Sequence, residues 1–323
     1  MKAIIIYLSF AFSIILIFLV ILIVYFSKKR NRKELYSKEM QYFKNITDND
    51  LQTYYSNNKI IVSITTSPSR ILMMEPVINS LLKQTYPPTL IRINIPKIFK
   101  RTKENYKIPI FITNNPKIKI FQYEQDYGPI MKFLPTIIDY KNDNNKVIIY
   151  GDDDVVFLPK TIETYLKFII INPNNVYCLS GITYNTLDNW TQPSNTNNII
   201  DKIDIPEGYM SVCCKSNILE NTSCIIKYYN IVKENKDCFQ SDDLIIGNFF
   251  SINNINIYAI KTKDVNFNKW WSSKCELSYG NLNDGLKNMN NGGHKNTYKR
   301  VIMFLYEHKL LNNKHIRLIN NKI

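Results

Sequence analysis

The segment KVIIYGDDD, residues 146–154, places three consecutive aspartates directly after a continuous apolar run. Such a run predicts a β-strand that is buried on both faces, as the central strands of a parallel sheet are. In open α/β sheets, ligands bind beyond the carboxyl ends of the strands. Asp152, Asp153 and Asp154 therefore stand where a ligand site is expected.

Strand-like and helix-like segments alternate on both sides of this run. The predicted elements are, in chain order, a strand over 60–66, a helix over 70–84, strands over 90–95 and 118–121, a helix over 130–140, the strand over 146–150 and a helix over 161–171. Pro135 lies inside the second predicted helix. The alternation predicts an α/β fold with a largely parallel sheet. Residues 181–208, rich in Asn, Thr and Pro, are predicted to form a long loop.

The amino-terminal segment is a candidate membrane anchor. Ala3–Phe26 contains no charged residue, and as a helix it would extend about 36 Å, enough to cross a hydrocarbon core about 30 Å thick. No small-residue cleavage site follows it, so we expect an uncleaved single-pass anchor. The basic cluster Lys28–Lys33 favours a cytosolic location for the rest of the chain. Three Asn-X-Ser/Thr sequons would instead fit the lumen of the ER or Golgi.

The net charge and the cysteine spacing exclude few classes of function. The 323 residues carry a formal net charge of +14, of which six charges fall within residues 1–33, where there is no acidic residue. The remaining surplus is spread thinly, which suits solubility or an anionic ligand. None of the six cysteines forms a C-x-x-C pair, which argues against a structural zinc site. We expect all six to be buried, with one or two disulfides if the domain is lumenal.

Three further motifs accompany the aspartate triplet. They are VSITTSPSR at 62–70, DYGPIMK at 126–132 and CFQSDDL at 238–244. In order and spacing, these motifs and the segment 148–155 resemble the GT-A-fold, family-2-like glycosyltransferases over residues 60–260. The segment 126–132 resembles the D-x-G-P-x-x-K element of one branch of that group, and 148–155 resembles its D-x-D segment.

The resemblance implies a GT-A Rossmann-like α/β/α sandwich with a mostly parallel central sheet. The uncharged segment Ala3–Phe26 predicts one transmembrane helix before it. The resemblance also implies a role for each matched residue. The implied donor-binding residues are Thr65, Thr66, Ser67, Arg70, Asp126, Lys132, Asp152 and Asp153. The implied metal ligands, for Mn²⁺ or Mg²⁺, are Asp152, Asp154 and His294. The implied catalytic bases are Asp242 and Asp243, and Glu207, Gly208 and Tyr209 resemble an acceptor-side loop. Trp270 and Trp271 are further acceptor-side candidates, because an aromatic ring can stack on a sugar.

If the strand continued through the triplet, alternation would point Asp152 and Asp154 to one side and turn Asp153 away.

Other candidate site residues have simpler structural explanations. Asp242 and Asp243 would also cap a helix that begins there. Paired tryptophans are often core residues, and a loop histidine such as His294 is often merely solvated.

The predicted organisation is an anchor over 1–27, a stem over 28–58, a catalytic domain over 59–270 and a carboxy-terminal extension over 271–323 that packs on it. We expect transfer of a single sugar from a UDP- or GDP-sugar to a hydroxyl of a glycan, protein or lipid, with inversion by an Asp base. No nucleic-acid partner is expected. The alternatives are a metal-dependent phosphoester or nucleic-acid enzyme, and a non-catalytic membrane-tethered relative.

Overall fold

The computed structural model describes residues 41–191, 200–220, 224–260 and 293–320, together with Phe18, Val20 and Leu22. The chain divides into two compact units, Met1–Ile46 and Thr47–Ile323. In the first unit, residues 41–45 are helical. No helix among the described residues is both long and apolar enough to cross a membrane. Most of the predicted anchor lies outside those residues.

The second unit is a mixed α/β structure. Its described helices are α1 (Asp48–Asn57), α2 (Glu75–Leu82), α3 (Ile110–Thr113), α4 (Leu134–Tyr140), α5 (Thr161–Ile171), α6 (Ile225–Val232), α7 (Lys236–Gln240), α8 (Asp242–Ile252), α9 (Gly293–Glu307) and α10 (Asn313–Asn320). Its described strands are β1 (Lys59–Ile64), β2 (Leu90–Pro96), β3 (Ile118–Tyr123), β4 (Lys146–Gly151), β5 (Val176–Cys178), β6 (Gly181–Thr186), β7 (Asn189–Thr191), β8 (Ile200–Ile203), β9 (Ile205–Pro206), β10 (Val212–Lys215) and β11 (Ile257–Ile260).

The large sheet has the strand order β3-β2-β1-β4-β10-β5-β11-β8. Strands β1 to β4 run parallel, as do β5 and β11, while β10 and β8 run antiparallel to their neighbours. This confirms the predicted α/β class with a mostly parallel sheet. Ile64 pairs with Gly151, so β1 and β4 end level and release Thr65 and Asp152 at the same edge.

The strand before the triplet is buried as its sequence predicts. The four side chains of Val147–Tyr150 are inaccessible to solvent, because α-helices cover the sheet and β1 and β10 pair with β4 on either side. Such a strand presents its carboxyl end rigidly. The position of the three aspartates is therefore fixed by the most deeply buried part of the fold.

Residues 181–191 and 200–208, the described parts of the predicted long loop, consist mainly of strands, and the loop prediction was wrong for them. Strands β7, β6 and β9 form a second sheet in that order, and β8 joins the edge of the large sheet. Ile182 and Tyr184 are buried, whereas Asn185 and Thr186 on the same strand are exposed. Strands of two to six residues with so many polar positions show little periodicity, which explains the wrong prediction.

Two of the predicted helices each consist of a 3₁₀ turn followed by an α-helix with proline in its first turn. The helix predicted over 70–84 is a 3₁₀ turn, Ile71–Met73, followed by α2, and the helix predicted over 130–140 is a 3₁₀ turn, Gly128–Lys132, followed by α4. Pro76 and Pro135 both lie in the first turn of the α-helix. Proline is favoured there because that amide has no helical acceptor. Pro135 therefore starts a helix and does not interrupt one.

Segments on both sides of the predicted catalytic domain belong to the second unit. Part of the predicted stem belongs to the second unit, where Thr47 caps α1 and Leu51 is fully buried. At the other end, Ile302 of α9 and Ile319 of α10 lie in the same hydrophobic core as the large sheet. Of the described cysteines, which are all free thiols, Cys224 is exposed, contrary to the prediction that every cysteine is buried. Cys275 lies outside the described residues.

A buried polar network lies between the sheet and α4. Asn94 on β2 donates from Nδ2 to Ser63 Oγ at 2.9 Å, to Thr136 Oγ1 at 3.0 Å and to the Met131 carbonyl at 3.0 Å. Its Oδ1 accepts a hydrogen bond from Arg92 Nε at 2.7 Å. One amide thus joins two strands to α4 and to the turn that carries Lys132.

We predict that Asn94→Leu lowers the free energy of unfolding by about 2–4 kcal/mol, because it leaves several buried polar groups without a hydrogen-bond partner. Urea unfolding measures the change. Lys119→Ala on the neighbouring strand is the control, since Lys119 is exposed and its loss should cost less than about 0.5 kcal/mol. An Asn94→Leu protein as stable as this control would contradict the proposed role of the network.

Candidate active site

A cleft of about 520 Å³ opens at the carboxyl ends of β1, β2 and β4. It brings together residues from all four sequence motifs. The predicted site residues that line it are Thr65, Thr66, Ser67, Arg70, Asp126, Lys132, Asp152, Asp153, Asp154, Glu207, Tyr209, Asp242 and Asp243. Segments almost 180 residues apart in sequence therefore meet in one place. The strand-end argument predicts this position for the triplet alone, and the family resemblance implies it for the other motifs. Their individual roles stay predictions.

The remaining predicted site residues lie elsewhere or cannot be placed. Gly208 adjoins the cleft through its backbone, which donates to Asp243. His294 lies in α9, a helix and not the expected loop, and its side chain is outside the described residues. Trp270 and Trp271 are also outside them.

Lys132 is the central cation of the cleft. Its side chain is almost completely buried, and Nζ lies 2.6 Å from Asp152 Oδ1, 2.8 Å from Asp242 Oδ2 and 3.8 Å from Asp243 Oδ1. Burial alone would lower the pKa of Lys132, but the three carboxylates together hold it well above its usual range. Lys132 therefore stays charged and joins the end of β4 to the start of α8.

The backbone approaches this ion cluster closely at Gly208. Its amide donates to Asp243 Oδ1 at 3.0 Å. A β-carbon added there would lie 2.6 Å from Lys132 Nζ and 2.9 Å from Asp243 Oδ1, closer than non-bonded atoms approach. A side chain at this position would displace the Lys132 ammonium group or the Asp243 carboxylate, and glycine avoids this.

Arg70 makes the second set of ion pairs. Its guanidinium contacts the carboxylate of Asp153 and lies 2.8 Å from Asp154 Oδ2. Asp153 is buried and also accepts a hydrogen bond from the Thr66 hydroxyl. The inference that Asp153 turns away from its neighbours was wrong, because β4 ends at Gly151 and strand alternation does not extend through the triplet.

Asp126 has a structural role in the motif 126–132. Its Oδ1 accepts from the Gly128 amide at 2.7 Å, and its Oδ2 accepts from the Lys100 amide at 2.8 Å. Gly128 has φ +72°, and a β-carbon there would meet the Phe239 ring at 2.7 Å. This turn leads directly into the segment that carries Lys132.

The cluster contains more acidic groups than cations. Five carboxylates, those of Asp152–Asp154, Asp242 and Asp243, share Arg70 and Lys132. Burial and the neighbouring aspartates raise the pKa of Asp154 to about 7. Burial, opposed by Lys132 and reinforced by Asp242 and Asp152, raises the pKa of Asp243. The uncompensated negative charge suits a cation.

Two carboxylates could hold such a cation. No group of three or more His, Cys, Asp or Glu side chains in metal-binding positions occurs among the described residues. Asp152 and Asp154 are both partly accessible at the cleft, with 35% and 14% of their side chains exposed. Mg²⁺ is commonly bound by one or two carboxylates together with the phosphates of a substrate. The residues present fit that kind of site.

Several residues of the cleft were not found from the sequence. They include Phe99, Arg101, Trp190, Gln240, Ser241 and Tyr298. Trp190 lies in the region predicted to be a loop, and Tyr298 belongs to the helix α9 near the carboxyl terminus. No local pattern links either residue to the aspartate motifs, so only the tertiary structure places them there.

No protein-family model matches the chain, and no curated protein matches it significantly. A solved structure that resembles it is described as the crystal structure of GalNAc-T7 with UDP, GalNAc and Mn²⁺. The match has a TM-score of 0.47 and 12% sequence identity, and it covers 63% of this chain and 42% of that one, less than half its length. At this level the likeness assigns neither a family nor an activity.

We predict that Asp154→Asn stabilises the metal-free protein at pH 8. The folded pKa of about 7 lies above the ordinary 3.8, so the contribution of Asp154 is fully present below about pH 4 and is lost as the pH rises through 7. Asparagine mimics the neutral form and should gain roughly 2 kcal/mol at pH 8. Urea unfolding in EDTA should show this gain, which should vanish near pH 4. A less stable variant at pH 8 would contradict the assignment.

Proposed function

We propose that the protein is a glycosyltransferase that uses a nucleotide-sugar donor and a divalent metal, Mn²⁺ or Mg²⁺. One observation carries the proposal. Carboxylates from two distant segments, 152–154 and 242–243, converge with two cations in a single cleft at the strand ends. Its volume of about 520 Å³ is within the usual range for small-ligand sites.

The donor would lie along the edge formed by β1 and β4. Asp152 and Asp154 would hold the metal, which when bound offsets negative charge on a nucleotide diphosphate. Arg70 holds Asp153 and Asp154 in place through its ion pairs, and Lys132 supplies a fixed positive charge beside Asp152. Fixed charges of this kind stabilise a leaving group without reorganising.

Asp242 and Asp243 are the candidates for the general base. A base must reach the acceptor hydroxyl and should have a pKa near the working pH. Burial raises the pKa of Asp243, which is the direction that the second condition requires, whereas Asp242 is the closer partner of Lys132. Both begin α8, where the positive helix end also favours their charge. Separate substitutions of Asp242 and Asp243 distinguish the two candidates.

Calorimetric titration of the full-length chain with UDP- and GDP-sugars in Mn²⁺ tests the proposal. Wild-type protein should bind at least one donor, and Asp154→Asn should weaken that binding at least tenfold because a metal ligand is lost. Asp242→Asn and Asp243→Asn should spare donor binding, and at least one of them should abolish transfer. Glu75→Gln, at an exposed carboxylate of α2, should change neither.

Two outcomes would reject the proposal. Donor binding that is unchanged in Asp154→Asn would remove the metal site from the triplet. If no nucleotide sugar binds but the protein cleaves bis(p-nitrophenyl) phosphate with Mn²⁺, and Asp154→Asn removes that cleavage, the phosphoester alternative is correct.

A further inference from the structure

We infer that the acceptor is a neutral sugar whose ring packs against Trp190 and Tyr298. This inference rests on the proposed sugar transfer, and it names the class of acceptor. Trp190 on β7 and Tyr298 on α9 both line the cleft. Their ring centroids are 6.2 Å apart, with the planes tilted by 48°. Together they form one aromatic wall built from two elements far apart in sequence.

The aromatic wall lines the same cleft as the candidate bases Asp242 and Asp243. Tyr298 is half-buried, and burial followed by the charges of Asp243, Asp242 and Glu207 raises its pKa. Those carboxylates are therefore its charged neighbours. A ring placed on this wall would bring its hydroxyl groups close to the start of α8.

Different aromatic residues lie beside Thr66, which follows β1. The Tyr106 hydroxyl donates to the Thr66 carbonyl at 2.9 Å, and the Phe99 ring packs edge-on against Tyr106 at 6.3 Å. The charged neighbours of Tyr106 are Asp126, Arg101 and Asp153. The surroundings of Tyr106 therefore differ from those of Tyr298, and Thr66 belongs to the β1 edge that is assigned above to the donor.

The Trp190 ring also packs against a buried aromatic residue of the neighbouring strand. The buried Tyr184 ring on β6 packs edge-on against it, with centroids 5.7 Å apart and an interplanar angle of 70°. A rigid, partly accessible aromatic ring is well suited to contact the apolar C–H face of a pyranose. The carboxylates beside it can accept hydrogen bonds from sugar hydroxyls, since an ionised carboxylate is only an acceptor.

The acidic residues beside the aromatic wall argue against an anionic acceptor. Glu207, Asp242 and Asp243 all face the same space, and Lys132 is already shared among three carboxylates. A lipid phosphate would bring a further negative charge to an acidic surface, which costs free energy at short range. A neutral glycan brings only hydroxyl groups, so it fits both the aromatic wall and the acidic groups.

Binding of methyl glycosides of glucose, galactose and mannose to the full-length protein tests the inference directly. Affinity is measured by ligand-observed NMR, with and without donor. Trp190→Ala and Tyr298→Ala should each weaken binding roughly five- to tenfold, the loss expected for one aromatic contact. Trp190→Phe should retain most of the affinity. Tyr306→Ala is the matched control, because Tyr306 is an exposed tyrosine on the same helix α9.

The outcomes separate this inference from the proposed function. Unchanged glycoside binding in both alanine variants, or transfer to a polyprenyl phosphate in preference to every methyl glycoside, would overturn the inference. Normal donor binding in the same variants would show that the donor site is intact. If no nucleotide sugar binds but glycosides still require Trp190 and Tyr298, the sugar site stands and the transferase proposal fails.

Discussion

The ion pairs of Lys132 are the constraint on which the cleft depends. A buried lysine is tolerated only when its charge is matched, and Lys132 is matched by Asp152 at the end of β4 and by Asp242 and Asp243 at the start of α8. The close approach of the Gly208 backbone depends on the same geometry. Removing the lysine would leave three neighbouring carboxylates without their shared counterion. The cleft is thus held together by opposite charges that come from different elements of the fold.

The sheet supplies the rigidity that such an arrangement needs. The buried strand β4 fixes Asp152, and the Asn94 network fixes the turn that ends in Lys132, because Asn94 bonds directly to the Met131 carbonyl. The residues with opposite charges therefore lie on elements that packing and hydrogen bonds already hold in place. The surplus of carboxylates that remains is what makes a divalent cation and a diphosphate a sensible pair of ligands.

Much of this could be predicted from the sequence, for specific reasons. The continuous apolar run before Asp152 and the strand-helix alternation predicted the parallel sheet, and the strand-end rule predicted a ligand site at the triplet. That the distant motifs join this site was implied only by the family resemblance. The second sheet was missed because its strands are short and mostly polar. The turn of Asp153 toward Arg70 was missed because the strand ends before the triplet, so that alternation does not apply to it. Trp190 and Tyr298 carry no local signal and meet only through tertiary packing.

The most direct test is the stability of Lys132→Met measured by urea unfolding at pH 7 and pH 4. Methionine keeps the apolar stem and removes the charge, so three neighbouring carboxylates lose their counterion. The free energy of unfolding should fall by about 3–5 kcal/mol at pH 7, and the deficit should shrink at pH 4, because burial raises the pKa of Asp243 and favours its protonation there. A Lys132→Met protein as stable as the wild type at pH 7 would contradict the account.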